Sequence, residues 1–166
     1  CTLRSEGLHY DVNALGFTYR MSDLQAALGL DQLRWLDRTV KAMRAKASLM
    51  LRMLRDIPGL VLPYEAPYAR HTYNLFVVRI IAEEFGPKRD QVSDSLRRKG
   101  IETQLHYVPL HRLTFYSKVA KFRAKALKVS ESLWKTALSL PLYPTIRESD
   151  LERVSTALHD HISRHR

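Results

Sequence analysis

From Leu33 onward the apolar positions run Leu33, Leu36, Val40, Met43, Ala47, Met50 and Leu54, in steps of three and four. That spacing puts one apolar stripe along a helix, and its short extent favours a core-facing helix over a long coiled coil. Ser22 and Gln25 stand in the capping-box relation at its start, and Asp23 suits the positive end of the helix dipole. Ala26, Ala27 and Gly29 keep one face thin enough for another backbone to approach. Ile57-Pro58-Gly59 ends the helix, since Pro and Gly continue helices poorly.

Beyond Gly59 the period changes. Leu60–Leu62 reads as a short strand, and Thr72–Ile81, rich in β-branched and aromatic residues, as the best strand in the chain. Pro87 to Lys99 reads as a helix with Val92 and Leu96 on one side, closed by Gly100. Ile101–Leu105 is a further strand candidate, Pro109 to Tyr116 a loop or single turn, Ala124–Thr136 a helix and Ala137–Leu140 a short strand. Pro141 and Pro144 force a turn, and Glu148–Arg164 closes as an amphipathic helix through Leu151, Val154, Leu158 and Ile162. Residues 1–20 show no periodicity and read as a loop with extended pieces. This order of elements predicts a helical arm followed by an α+β domain, with a boundary at Pro58-Gly59, hence domains 1–58 and 59–166.

Composition bounds the picture without naming a reaction. With 166 residues the chain can bury a real core, and a single cysteine, Cys1, excludes an internal disulfide and fits a reducing, cytoplasmic setting. No apolar run reaches the roughly 20 residues a membrane span requires. A first residue of Cys, not Met, reads as a piece of something longer or a trimmed product. The net charge of +10 would favour polyanions, yet a solvated basic surface is the preferred explanation. The dense basic stretch has no acid between Ser117 and Ser130, and no helix-turn-helix, zinc-finger or RNA-binding signature accompanies it. The sequence therefore points away from nucleic acid. Metal binding has no support in HExxH or paired cysteines.

Two clusters carry candidate chemistry: His71-Thr-Tyr73, entering the best strand, and His106-Tyr-Val-Pro-Leu-His111, leaving another. Imidazoles and phenols at strand ends can hydrogen bond a polar ligand or move a proton; they can equally be locally satisfied structural groups. No Gly-rich phosphate loop and no Gly-x-Ser-x-Gly elbow is present.

Four segments in order carry a resemblance: Leu3-Arg-Ser-Glu-Gly7; Gly16 to Leu36; His71-Thr-Tyr-Asn-Leu-Phe-Val-Val-Arg79; and Gly100 to His111 with Ser139-Leu-Pro-Leu-Tyr-Pro144 after it. Together they cover nearly the whole chain, and they resemble the DegT-type (StrS-like) nucleotide-sugar aminotransferases, which depend on pyridoxal 5'-phosphate (PLP). The resemblance implies the C-terminal part of an α/β, fold-type-I PLP transferase: long helices followed by a small sheet with packed helices. It implies that the Schiff-base lysine lies outside this chain, so that no catalytic residue is assigned and the chain alone is inactive. It further implies amino transfer from glutamate to a keto sugar nucleotide, in a cytoplasmic homodimer that takes part in polysaccharide biosynthesis. In the family's Gly-Tyr/Phe-Asn-Tyr-Arg-Met turn the Asn contacts the PLP phosphate; here that position is Thr18, whose hydroxyl reaches less far. Arg20 matches and would serve an anionic substrate group, while His71, Tyr73, Tyr107 and His111 would line the sugar-nucleotide side. Two alternatives stand beside this: a PLP-dependent sugar dehydratase of the same family, and a stand-alone basic binding module without catalysis.

Overall fold

A computed structural model of the chain describes residues 3–6, 9–12, 17, 19–81, 88–119 and 127–163. The chain divides into two compact units, Cys1–Asp37 and Arg38–Arg166.

In the first unit, β1 (Leu3–Glu6) and β2 (His9–Val12) pair antiparallel, with Leu3 opposite Val12 and Glu6 opposite His9. The aperiodic N-terminal stretch thus holds a hairpin. Helix α1 (Asp23–Leu54) begins in this unit. Its start is the expected capping box: Gln25 Oε1 accepts the Ser22 N–H at 2.9 Å and Ser22 Oγ accepts the Gln25 N–H at 3.4 Å. The division after residue 37 falls inside this helix, and burial along it also changes there. Leu24, Leu28, Leu33, Trp35 and Leu36 are exposed, whereas Val40, Met43, Ala47, Met50 and Leu54 are buried.

The second unit is built on a three-stranded antiparallel sheet in the order β3 (Leu60–Val61), β4 (Phe76–Ile80), β5 (Ala137–Leu140). Along β4 the side chains alternate, so Phe76, Val78 and Ile80 are buried while Val77 and Arg79 lie on the other face. Leu138 and Leu140 of β5 join the buried face, opposite Val78 and Phe76 respectively. The core forms where this face meets Ala47, Met50 and Leu54 of α1, Val92 and Leu96 of α2 (Arg89–Arg98), and Leu151, Val154 and Leu158 of the last helix. Two more helices intervene, α3 (Thr114–Val119) and α4 (Lys128–Thr136), before the chain closes with α5 (Glu148–Ser163). Among the described residues no helix is long and apolar enough to cross a membrane.

Helix α2 ends as its sequence suggests. Gly100 has φ +71°, its N–H bonds the Arg97 carbonyl at 2.9 Å, and the Ile101 N–H bonds the Leu96 carbonyl at 2.9 Å. These are the two bonds of a Schellman motif, which wants a left-handed residue at this place. A Cβ at Gly100 would also stand 2.9 Å from Arg153 Nη2, a group that bonds the Lys99 carbonyl. Gly100→Ala is therefore expected to destabilise the fold by ~1–2 kcal/mol. Chemical denaturation measures this, and an unchanged midpoint would show that the turn relaxes without strain.

Two strand expectations shrink. In the stretch 72–81 only Phe76–Ile80 is strand, because Tyr73 sits in the left-handed region at φ +54° and interrupts the extended run. In the stretch 101–105 only Gln104 pairs, through reciprocal bonds with Ser139 of 3.1 and 2.8 Å. Ile101 is tied back to Leu96, and at His106 the ring, not the backbone, reaches Ser139, so one residue alone is aligned. The expected loop at 109–116 contains a 3₁₀ turn, Leu110–Arg112, and the start of α3.

Candidate functional site

The stretch before β4 is held by one ion pair. Arg44 projects from α1, and its Nη1 donates to Glu65 Oε1 and to the His71 carbonyl, both at 2.7 Å, while Nη2 donates to Glu65 Oε2 at 3.1 Å. Glu65 Oε1 also accepts the His71 N–H at 2.9 Å. The Arg44 guanidinium and then the His71 N–H hold the Glu65 carboxyl below the usual range, and Glu65 raises Arg44 in turn. Tyr73 donates its N–H to His71 Nδ1 at 2.7 Å, and the two rings lie 4.2 Å apart. Tyr73 is only 5% exposed and packs in the core beside Phe76; burial pushes its phenol up. His71 and Tyr73 are thus brought together, with His71 the more accessible of the two.

The second sequence cluster splits in space. His106 Nδ1 lies 2.8 Å from Ser139 Oγ, and Tyr107 meets the His106 ring edge-on while remaining 77% exposed. The His106–Tyr107 peptide is cis. Four residues on, His111 Nε2 lies 2.5 Å from Glu131 Oε1, and Arg112 bonds the same carboxylate through Nε at 2.8 Å and through Nη2. Arg112 first and His111 second hold the Glu131 carboxyl down at about 2, from an ordinary 4.5.

A folded pKa below the unfolded one means that this cluster contributes stability above about pH 4.5 and loses it as pH falls toward 2. Glu131→Gln is therefore expected to lower the melting temperature at pH 6, with the gap to wild type closing as pH falls below 4.5. Melts of both proteins between pH 2 and 6 read this, and a gap constant with pH would remove the charge from the account.

Glu131 also borders an open cleft of about 870 Å³ between the end of β4, the start of α2 and α4. Arg79, Lys88, Arg89, Lys128 and Lys135 give this cleft a basic lining, against Asp90 and Glu131. Arg89 is buried, with its guanidinium 5.3 Å over the Trp134 ring and its Nε 2.7 Å from Asp90 Oδ1. That last pair is at ion-pair distance without hydrogen-bond alignment.

Of the remaining candidates, Arg20 is exposed shortly before α1, and Thr18 lies outside the described residues. The described residues do not by themselves make a PLP cradle. A lysine that forms a Schiff base is activated by burial or a neighbouring cation. Lys46 and Lys99 are half-buried and paired with Glu148 and Asp160, and Lys41, Lys88, Lys118, Lys128 and Lys135 are exposed. Among the described residues no group of three His, Cys, Asp or Glu is placed to hold a metal ion.

Sequence reading missed Arg44, Glu65, Glu131 and Arg89. Glu131 carried a usable signal, as the first acid after a long basic stretch. Arg44 and Glu65 carried none, being polar residues on unremarked faces.

The small antiparallel sheet packed on helices is a fold that the chain shares with solved structures. The profile of the DegT/DnrJ/EryC1/StrS aminotransferase family matches residues 2–159. The chain belongs to that family. It is 32% identical over 153 residues to the spore coat polysaccharide biosynthesis protein SpsC of Bacillus subtilis (strain 168), covering 92% of this chain and 39% of that protein. Among solved structures, DesV of S. venezuelae matches with a TM-score of 0.78 and 30% identity, covering 90% of this chain and 39% of its own. DesI, solved in the presence of its TDP-sugar product, matches with a TM-score of 0.78 and 26% identity over 87% of this chain and 36% of its own. The chain thus spans about two fifths of the length of these relatives. The expected fold class, a small α+β domain from the fold-type-I transferases, is the one observed.

Proposed function

We propose that this chain forms the C-terminal part of a cytoplasmic, homodimeric sugar aminotransferase, which with PLP moves an amino group from glutamate to a keto sugar nucleotide. The observation that carries the reading is the family match over residues 2–159, together with fold similarity at 30% identity to DesV. In this reading residues 1–58 are the end of the large domain and the connecting helix, and residues 59–166 the small domain. Arg20 binds an anionic substrate group, for which a planar guanidinium fork is suited. His71, Tyr107 and His111 line the sugar-nucleotide side, with Tyr73 backing the His71 ring, and Thr18 serves the cofactor phosphate. The relation to DesI, seen with a TDP-sugar product, makes a thymidine-linked sugar the first substrate to try.

The test is turnover by the intact gene product with PLP, glutamate and a panel of TDP- and UDP-linked keto sugars, with products identified by mass. An amino sugar formed with stoichiometric 2-oxoglutarate is the expected result. A deoxygenated keto sugar without an amino group, formed as glutamate goes to 2-oxoglutarate with release of ammonia, would make the protein a dehydratase. No turnover and no PLP binding, alongside tight binding of an acidic polymer, would leave a basic binding module.

A further inference from the structure

We propose that the Arg44–Glu65 ion pair is a positioning device that holds the His71 ring in its Nε2–H tautomer, as a fixed hydrogen-bond donor to an oxygen of the substrate. The identity of that oxygen rests on the sugar-aminotransferase reading; the tautomer does not.

Both backbone polar groups of His71 are taken by the pair: its carbonyl by Arg44 Nη1 at 2.7 Å and its N–H by Glu65 Oε1 at 2.9 Å. The pair is itself bidentate, so one rigid fork fixes the backbone from which the imidazole projects. The ring is then held at two further points. Its Nδ1 accepts the Tyr73 N–H at 2.7 Å, and its face lies 4.2 Å from the ring of Tyr73, which is buried and closely packed. An imidazole nitrogen that accepts a hydrogen bond carries no proton, so the neutral ring keeps its one proton on Nε2. Among the described residues nothing hydrogen bonds that Nε2.

The backbone supplies an independent observation. Tyr73 has φ +54°, where a bulky side chain is strained. Such strain persists where the surroundings over-determine it, and clusters at ligand sites. Here it sets how the Tyr73 ring leaves the peptide whose N–H binds His71 Nδ1, and so brings that ring against the imidazole. Pinning the loop alone would need only the Arg44–Glu65 fork; the strained residue adds the aim of the ring. A neutral ring with its proton on Nε2 can donate through that atom but cannot take a proton there, so His71 binds substrate and is not a general base. The acceptors this chemistry suits are a phosphate oxygen or a sugar oxygen of the nucleotide sugar.

The experiment is nitrogen NMR on the intact gene product labelled in histidine, with His71 assigned from the signal lost in His71→Gln. At about pH 8.5, above the ordinary imidazole range, wild type is expected to show a bare Nδ1 and a protonated Nε2. A protonated Nδ1, or averaging between tautomers, would overturn the proposal. Glu65→Gln, and Arg44→Gln as a second variant, are expected to move both nitrogens toward the averaged position. An unchanged pattern in either variant with the fold intact overturns the positioning role. TDP and TDP-glucose serve as probes: a shift at Nε2 with TDP assigns a phosphate oxygen, a shift with TDP-glucose alone assigns a sugar oxygen, and no shift with either overturns the donor role. His71→Gln, whose amide reaches the Nε2 position, should hold TDP-glucose at least several-fold tighter than His71→Asn; equal loss also counts against the donor. The tautomer is read without turnover, so failure of the aminotransferase reading leaves it measurable.

Discussion

Arg20→Ala is expected to lower kcat/KM of the intact enzyme by about ten- to 150-fold, the equivalent of about 1.5–3 kcal/mol for a lost charge-assisted hydrogen bond. The residue lies in the Gly16-Phe-Thr-Tyr-Arg-Met21 stretch of the sequence, exposed just before the Ser22 capping box that starts α1. Its exposure leaves the guanidinium open to a carboxylate or phosphate. The capping box fixes where the helix begins, directly after this stretch. Arg20→Lys should recover only part of the loss, because a single ammonium cannot reproduce the two-pronged contact. Steady-state kinetics with glutamate and with the keto sugar varied in turn identify the anionic group that is served. If Arg20→Ala folds normally and its kinetics match wild type for both substrates, Arg20 is a surface charge and nothing more.

The parts of this fold that were legible in the sequence are those set by neighbours within a helical turn or a strand pair. Ser22 and Gln25 announced the start of α1, Gly100 the end of α2, and the β-branched and aromatic run that holds Phe76–Ile80 a strand. What the sequence could not show depends on partners far along the chain. Tyr73 belongs by composition to a strand, yet its backbone is left-handed in a segment anchored by Arg44, 27 residues from the His71 carbonyl it binds. No periodicity registers a contact of that separation. His111 stands in a motif with His106 in the sequence, yet its partner in the fold is Glu131, 20 residues on, which Arg112 also binds. The basic cleft escaped for a related reason: Arg79, Arg89 and Lys128 come from three different elements, and only the packing of α4 beside β4 brings them to one lining.

The stripe on α1 was legible as a stripe but not as two halves with different fates. Val40, Met43, Ala47, Met50 and Leu54 are buried, while Leu28, Leu33 and Trp35 stay 60, 64 and 50% exposed. Leu24 and Leu36 extend the same exposed set. Apolar surface of this extent on one helix marks a contact face or an aggregation liability. Residues 1–166 alone are therefore expected to self-associate, against a net charge of +10 that opposes it. Because that opposition is electrostatic, low salt should favour monomer and added salt should promote association as screening shortens the range of repulsion. Leu33→Asp should return the chain to monomer at every salt, since burying an unpaired carboxylate in an apolar contact is strongly unfavourable. Light scattering across a salt series, with and without the substitution, reads both. A compact monomer at all salts that binds no dye for apolar surface would mean that the chain covers this face with its own residues, and the proposed homodimer would then have to be built elsewhere.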